Sequence, residues 1–362
     1  MSTSRLVLLV SLFVVGQMLF PLMGTASAQE AKPDLTISSN DIIFSRDKPL
    51  IGDSVQINAT VHNAGTANVS NVRVRFFDGP PASNKTISSD QILESVPVNG
   101  SATARVNWTD TSVNGTHYIW VVVDPVNTVD EVNESNNMDW RSIFVNLAPT
   151  AVITANITTE YTLTDISFGG ENSTDPDGTV TTCFWNFDDG NTTKGVSVKH
   201  SWGNDGRYNV TLLVTDNDGG TNTTSVTVTI FNRKPIAVAS DQTVNTLDIV
   251  NFDSANSWDD DGYIAGAKWT LHNGSVLNGK KVSASYPQNG KFQVQLIVTD
   301  DDGDFNSTIF YMTVKNRDPV ARINASSIHI NSSENITFDA YQSYDQDGYI
   351  TNYTWMYPGG GK

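Results

Sequence analysis

The chain repeats itself, and that limits the folds open to it more than any other feature. Pro149-Thr150-Ala151, Pro235-Ile236-Ala237 and Pro319-Val320-Ala321 recur at intervals of 86 and 84 residues, each three residues after an asparagine (Asn146, Asn232 or Asn316). The same landmarks then follow in the same order: Phe168, Phe252 and Phe338; Asp175-Pro176-Asp177-Gly178, Asp259-Asp260-Asp261-Gly262 and Asp345-Gln346-Asp347-Gly348; Trp185, Trp269 and Trp355. Two units go on to Thr215-Asp216-Asn217-Asp218-Gly219 and Thr299-Asp300-Asp301-Asp302-Gly303. Before those turns the hydrophobic period is two: Tyr208, Val210, Leu212 and Val214 alternate with polar neighbours, as do Phe292, Val294, Leu296 and Val298, which is the pattern of half-buried strands.

Short strands with turn signals about every 8 to 12 residues predict an all-β chain of tandem Ig-like β-sandwich modules. The units span 148–232, 234–317 and 318–362, the last incomplete. Trp185, Trp269, Trp355, Phe168, Phe252 and Phe338 are expected in their cores, since each recurs in strand context. The joints Asn146-Leu147-Ala148-Pro149, Asn232-Arg233-Lys234-Pro235 and Asn316-Arg317-Asp318-Pro319 are short and hold proline, so the modules are expected to form a stiff, extended array. The third unit has no counterpart of the strands 292–298 and 309–314. It is expected either to receive strands from a partner or, the reading favoured, to continue beyond Lys362 in the natural product.

Only 38% of the residues are apolar, but Val, Ile, Phe, Tyr and Trp are prominent, which favours sheets. The net charge of −17 argues against a nucleic-acid partner. Residues 1–28 read as a signal peptide, with Arg5, an apolar stretch Leu6 to Phe20 and a small-residue site Ala26-Ser27-Ala28. Cleavage would release a secreted or surface protein, whereas an uncleaved segment would be its contact with the membrane. Cys183 is the only cysteine, so no intrachain disulfide exists, and its place two residues before Trp185 predicts a buried thiol. Asn-x-Ser/Thr sequons are dense, and Asn58, Asn68, Asn107, Asn114, Asn191, Asn222, Asn306 and Asn352 are candidate glycan acceptors; their other reading is solvated strand and turn residues.

The repeats resemble the PKD (polycystic-kidney-disease-type) repeat, through Pro149, Asn172 to Gly178, the run Trp185-Asn186-Phe187-Asp188-Asp189-Gly190, and Gly206-Arg207-Tyr208 with Val214-Thr215-Asp216. The second unit reads Trp269-Thr270-Leu271-His272-Asn273-Gly274 at the acidic run and the third Trp355-Met356-Tyr357-Pro358-Gly359-Gly360, which depart from it. Residues 33–146 follow another pattern and resemble the cell-adhesion-related CARDB module. Pro33-Asp34-Leu35, Gly52-Asp53-Ser54-Val55, Asn63-Ala64-Gly65-Thr66-Ala67, Val123 to Asn127 and Glu131 to Asn137 carry that resemblance. It implies a secreted or cell-surface adhesion or scaffold protein, of the kind found in surface layers, binding other envelope proteins or extracellular polysaccharide. The alternative it leaves open is an accessory, carbohydrate-binding region of a larger secreted protease or glycosidase.

No motif requires a cofactor. Calcium, which needs about six to eight oxygens, is the ion the acidic turns suit: Asp175 and Asp177 with Asp216 and Asp218, Asp259 and Asp261 with Asp300 and Asp302, and Asp124, Glu131 and Glu134 in the first module. The reading favoured for all of them is turn geometry, with carboxylates bonding backbone N–H groups. His62, His117, His200, His272 and His329 are scattered, with no zinc-protease or nucleophile-elbow motif, so no catalysis is expected. Exposed aromatic platforms would favour carbohydrate binding, and Trp108, Trp120, Trp140, Trp202 and Trp258 are the residues whose exposure decides it.

Overall fold

A computed structural model describes residues 30–356; the signal-peptide reading lies outside the described residues. Contacts divide the chain at Asn146 into two units.

The first unit is a sandwich of two antiparallel sheets. In one, Val55–Asn63 pairs with Leu35–Thr36, Ile42–Phe44 and Ser101–Trp108; in the other the order is Gln91–Val96, Val69–Asp78, Gly115–Val123, Met138–Val145. Alternation decides which side each strand buries. Val55, Ile57, Ala59 and Val61 meet Val72, Val74, Phe76, Ile119, Val121 and Val123 in one core, each Val or Ile side chain contributing about 1.5–3 kcal/mol by leaving water. Asn63, 1% exposed, organises the turn the sequence marks: its Nδ2 donates to Ala67 and Val96 carbonyls, and its Oδ1 accepts from Asp34 and Gly65 N–H.

The second unit holds the repeats. Repeat 1 packs the sheet Thr159–Tyr161, Thr221–Phe231, Gly206–Asp216, Val180–Asn186, Thr192–Lys194 on a smaller one of Ser197–His200, Ile166–Gly169 and Thr154–Ala155. Repeat 2 has the same order, Gln242–Asn245, Phe305–Lys315, Gly290–Asp300, Ile264–Thr270, Val276–Asn278, over Ile249–Asp253 and Lys281–Ser285. The outer strand of each larger sheet, Thr159–Tyr161 or Gln242–Asn245, pairs in parallel, and every other pairing is antiparallel.

Trp185 and Trp269 are fully buried against Phe168 and Phe252. Each indole N–H finds the same partner, Gly195 O at 2.9 Å and Gly279 O at 3.0 Å, so the polar end of the largest core residue is satisfied. Cys183 is buried in the repeat 1 core with Trp185, and burial pushes its thiol up. The third repeat differs from expectation. Phe338 is 43% exposed and Trp355 only half-buried; the rings touch each other, but among the described residues the repeat has just the short pair Asn324–Ala325 and Phe338–Asp339, and no sheet covers them.

Candidate functional site

The two acidic turns of each repeat meet. Asp216 and Asp300 close the long strands and are buried at 3% and 2% exposure. Asp216 Oδ1 accepts the N–H groups of Asp218 and Gly220, both at 2.8 Å, which shapes the hairpin turn. The next residue clamps the other turn: Asn217 Oδ1 accepts from Thr179 N–H at 2.6 Å and Asp301 Oδ1 from Tyr263 N–H at 2.8 Å. A Cβ on Gly178 would press on the side-chain oxygens of Asn217 and Asp175, and one on Gly262 on that of Asp301, so a larger residue there would displace the clamp.

Asp259, Asp261 and Asp300 are brought together in this way, as are Asp175, Asp177 and Asp216. Both Asp259 oxygens, Asp261 Oδ1, Asp300 Oδ1 and the neighbouring Asn232 Oδ1 are buried with no hydrogen-bond donor. Burial first, then the charges of Asp261, Asp300 and Asp301, push the Asp259 carboxyl up to about 6. Asp175 is pushed up for the same reasons, burial first and then Asp216 and Asp177. The remaining aspartates of the second turn sit at its tip: Asp218 accepts from Asn217 Nδ2 at 2.6 Å, and Asp302 is exposed, its carboxyl raised by desolvation and then by Asp205 of the preceding repeat. Among the described residues no three His, Cys, Asp or Glu side chains alone form a metal-ligand set, so a cation here would also need amide, carbonyl or water oxygens.

The first turn also fastens the preceding repeat, a role the sequence reading missed. Asp261 Oδ2 accepts from the backbone N–H of Arg233 at 3.0 Å and from the hydroxyl of Thr162, a fully buried residue of repeat 1. The Arg233 side chain turns back to repeat 1, with Nε on Thr162 O at 2.8 Å and a terminal N–H on Thr164 Oγ1 at 2.9 Å; Asn232 Nδ2 donates to Asp300 Oδ2 at 3.0 Å. At the next joint Asp347 Oδ2 accepts from Arg317 N–H at 3.1 Å and from Thr246, while Arg317 donates to Thr246 O at 2.7 Å and to Asp248. Leu163 and Leu247, between the bonded residues of the upstream turns, hold φ of 60° and 66°, where a branched side chain is strained. In repeat 1 Asp177 Oδ2 likewise accepts from Leu147 N–H at 3.1 Å.

In the first unit the candidate acids are engaged with the backbone. Asp124 accepts from Thr128 Oγ1 at 2.8 Å and Val129 N–H at 2.7 Å. Glu134 accepts from Glu131 N–H at 3.2 Å. Glu131, 6% exposed, accepts from Leu35 N–H at 2.5 Å and Asn137 Nδ2 at 2.8 Å, tying the first strand to the closing loop; burial raises its carboxyl to about 7 against those two donors. Of the sequon residues, Asn68, Asn107, Asn114, Asn191, Asn222, Asn306 and Asn352 are exposed, and Asn58 is half-buried in its strand with Oδ1 enclosed.

These landmarks agree with what known proteins match. A CARDB model matches residues 32–140, and a PKD domain model matches 146–230 and 232–314. The chain is a PKD-repeat protein with an N-terminal CARDB module. The chain is 29% identical over 176 residues to the pre-pro-metalloprotease PrtV of Vibrio cholerae, covering 48% of this chain and 19% of that one. It is 42% identical over 98 residues to a microbial collagenase of Vibrio alginolyticus, covering 27% and 12%, and 31% identical over 159 residues to collagenase ColA of Clostridium perfringens, covering 44% and 13%. The chain thus spans less than a fifth of the length of these curated relatives. Among solved structures, the CARDB domain of a Pyrococcus furiosus protein in complex with di-metal ions is 25% identical, covering 32% of this chain and 89% of that one at a TM-score of 0.27. The PKD1 domain of Vibrio cholerae PrtV is 29% identical, covering 23% and 96% at 0.21. Among the described residues no helix is long and apolar enough to cross a membrane.

Proposed function

We propose that the chain is a secreted or cell-surface scaffold, without a catalytic step of its own, in which PKD repeats carry the CARDB module towards other envelope proteins or extracellular polysaccharide. The observation that carries this reading is the repeated joint: Thr162, Arg233 and Asp261 form the same bonds as Thr246, Arg317 and Asp347. Modules that needed only tethering would use a flexible linker and would not spend buried polar groups on the connection.

Calcium is part of the proposal. Asp259, Asp261, Asp300 and Asn232 supply enclosed oxygens with no donor to meet them, and a divalent cation would neutralise carboxylates that otherwise repel. A ligand that binds only the folded state raises the melting temperature. Thermal unfolding of the full chain in calcium and in excess chelator tests this: a higher Tm in calcium is expected, and identical melting curves would sink the cation reading.

The similarity to a pre-pro-metalloprotease and to collagenases favours a second reading, an accessory region of a larger secreted hydrolase. The intact mass of the native protein, from envelope and from medium, separates the two. A mass near residues 29–362 plus glycan supports the scaffold, and a much larger one the accessory region.

A further inference from the structure

The outer face of one CARDB sheet is aromatic where a solvated face is normally polar. On Gly115–Val123 the residues alternating with buried Ile119, Val121 and Val123 are Tyr118, Trp120 and Val122; on Met138–Val145, Trp140 lies opposite Trp120. Tyr118 is 47% exposed and Trp140 39%, and Trp120 is half-buried. The ring of Trp140 lies 5.1 Å from Tyr118, at 76° to it, and 6.1 Å from Trp120, at 36°. A contiguous exposed aromatic surface is a candidate binding face.

The strip runs into a cavity. Tyr118 also lines a cavity of about 560 Å³ whose walls include Asp78, Lys85, Trp108, Asp110 and His117. Asp78 takes His117 Nδ1 at 2.9 Å. Trp108 is 1% exposed, and its indole N–H has no acceptor. A buried donor left unmatched is costly and marks a place where a ligand oxygen or water is accommodated.

We propose that this strip and cavity bind one chain of a neutral polysaccharide, sugar rings stacking on Tyr118 and Trp140 while hydroxyls meet Asp78, Lys85 and Asp110. The mixture decides the class: a pyranose has an apolar C–H face and a polar hydroxyl edge, matching rings beside carboxylates and an ammonium, whereas a purely apolar partner would leave those groups unpaired. Net charge of −17, and two carboxylates in the cavity, disfavour an anionic polymer. The steep angle between Tyr118 and Trp140 suits a single twisted chain and not a flat crystalline surface. The proposal deepens the scaffold reading, resting on its extracellular placement, and names what the CARDB module holds.

Titrating the full chain with cellohexaose, xylohexaose, mannohexaose and laminarihexaose, followed by tryptophan fluorescence and calorimetry, tests it. Saturable binding of at least one sugar is expected, weakened about 10-fold or more by Trp140→Ala and, separately, by Tyr118→Ala, with unfolding temperatures unchanged; 10-fold is the loss of one good stacking contact. No binding to any of the four at millimolar concentration would overturn it, as would binding undiminished in both variants, or binding only to an oligogalacturonate or a collagen-like peptide. Those negative outcomes leave the repeat joints untouched, so failure here is separable from failure of the scaffold reading.

Discussion

Arg233 gives its backbone N–H to Asp261 Oδ2 at 3.0 Å, and one repeat later Arg317 makes the same bond to Asp347 at 3.1 Å. The carboxylate that sequence reading assigns to a cation-holding turn is therefore also the point where the preceding repeat is fastened. One oxygen serves the joint, and the other is enclosed with no donor. On the calcium proposal, cation binding and joint geometry would be coupled through this single side chain.

Removing that side chain tests the coupling. Asp261→Ala leaves Arg233 N–H and the Thr162 hydroxyl without their acceptor, which is expected to cost about 1–3 kcal/mol; Arg233→Ala, which spares the backbone bond, is expected to cost about 1 kcal/mol. Urea unfolding of the full chain measures both. Equal tolerance of the two changes would contradict the assignment of Asp261 as the anchor.

The CARDB module is expected to lose stability as pH rises through 7. Glu131 is raised to about 7 in the folded state, chiefly by burial, with Glu134 and Asp124 adding to the shift. Between about pH 4.5 and 7 the folded state therefore holds more protons than the unfolded one, and its advantage falls as pH increases. Glu131→Gln keeps an acceptor for Leu35 N–H and offers a donor to the enclosed Asn137 Oδ1 after that amide flips. Melting curves at pH 8 are expected to show the variant more stable, by about 1–3 kcal/mol. A less stable variant would mean that the charge itself holds the first strand.

Metal-free repeat 2 follows the same sign. Asp259, pushed up to about 6 by burial and its neighbouring aspartates, favours the folded state most when protonated, so in chelator its Tm is expected to rise as pH falls from 7 to 5. In calcium the dependence should reverse, because protons then compete with the ion for the same oxygens. A pH profile unaltered by calcium would separate Asp259 from any cation.

Trp269→Phe removes the donor to Gly279 O and leaves a void beside Phe252. The loss is expected at about 2–4 kcal/mol, from an unmatched carbonyl and a partly collapsed cavity. Denaturant midpoints measure it, and a neutral change would show that the indole bond contributes nothing.

The fold was legible because its signals are local: alternation along Val294, Leu296 and Val298, and recurrence of Phe252 and Trp269 at fixed positions. The meeting of the acidic turns was legible as a hypothesis, because repetition puts Asp259 and Asp300 at corresponding places in each unit. The joint was not. Thr162 and Asp261 lie in different repeats, and nothing in Tyr161-Thr162-Leu163 distinguishes a joint turn from an ordinary one. Among the tryptophans, Trp108 continues the buried parity of Ala104 and Val106, and Trp140 opposes that of Ile143 and Val145, whereas Trp120 sits in an apolar run where both parities look alike. The exposure of Phe338 has a cause the sequence does show: its context matches buried Phe252, but the third unit has no counterpart of the strands 292–298 and 309–314, and among the described residues no sheet lies over the ring.

The most direct test of the account is the distance distribution between spin labels on repeats 1 and 2 of the full chain, carried at Thr192→Cys and Ser275→Cys with Cys183→Ala, by pulsed electron–electron double resonance in calcium. A fixed joint predicts one narrow distance that broadens when Asp261→Ala or Arg233→Ala is added. A broad distribution in the parent chain, or a narrow one indifferent to both substitutions, would contradict it.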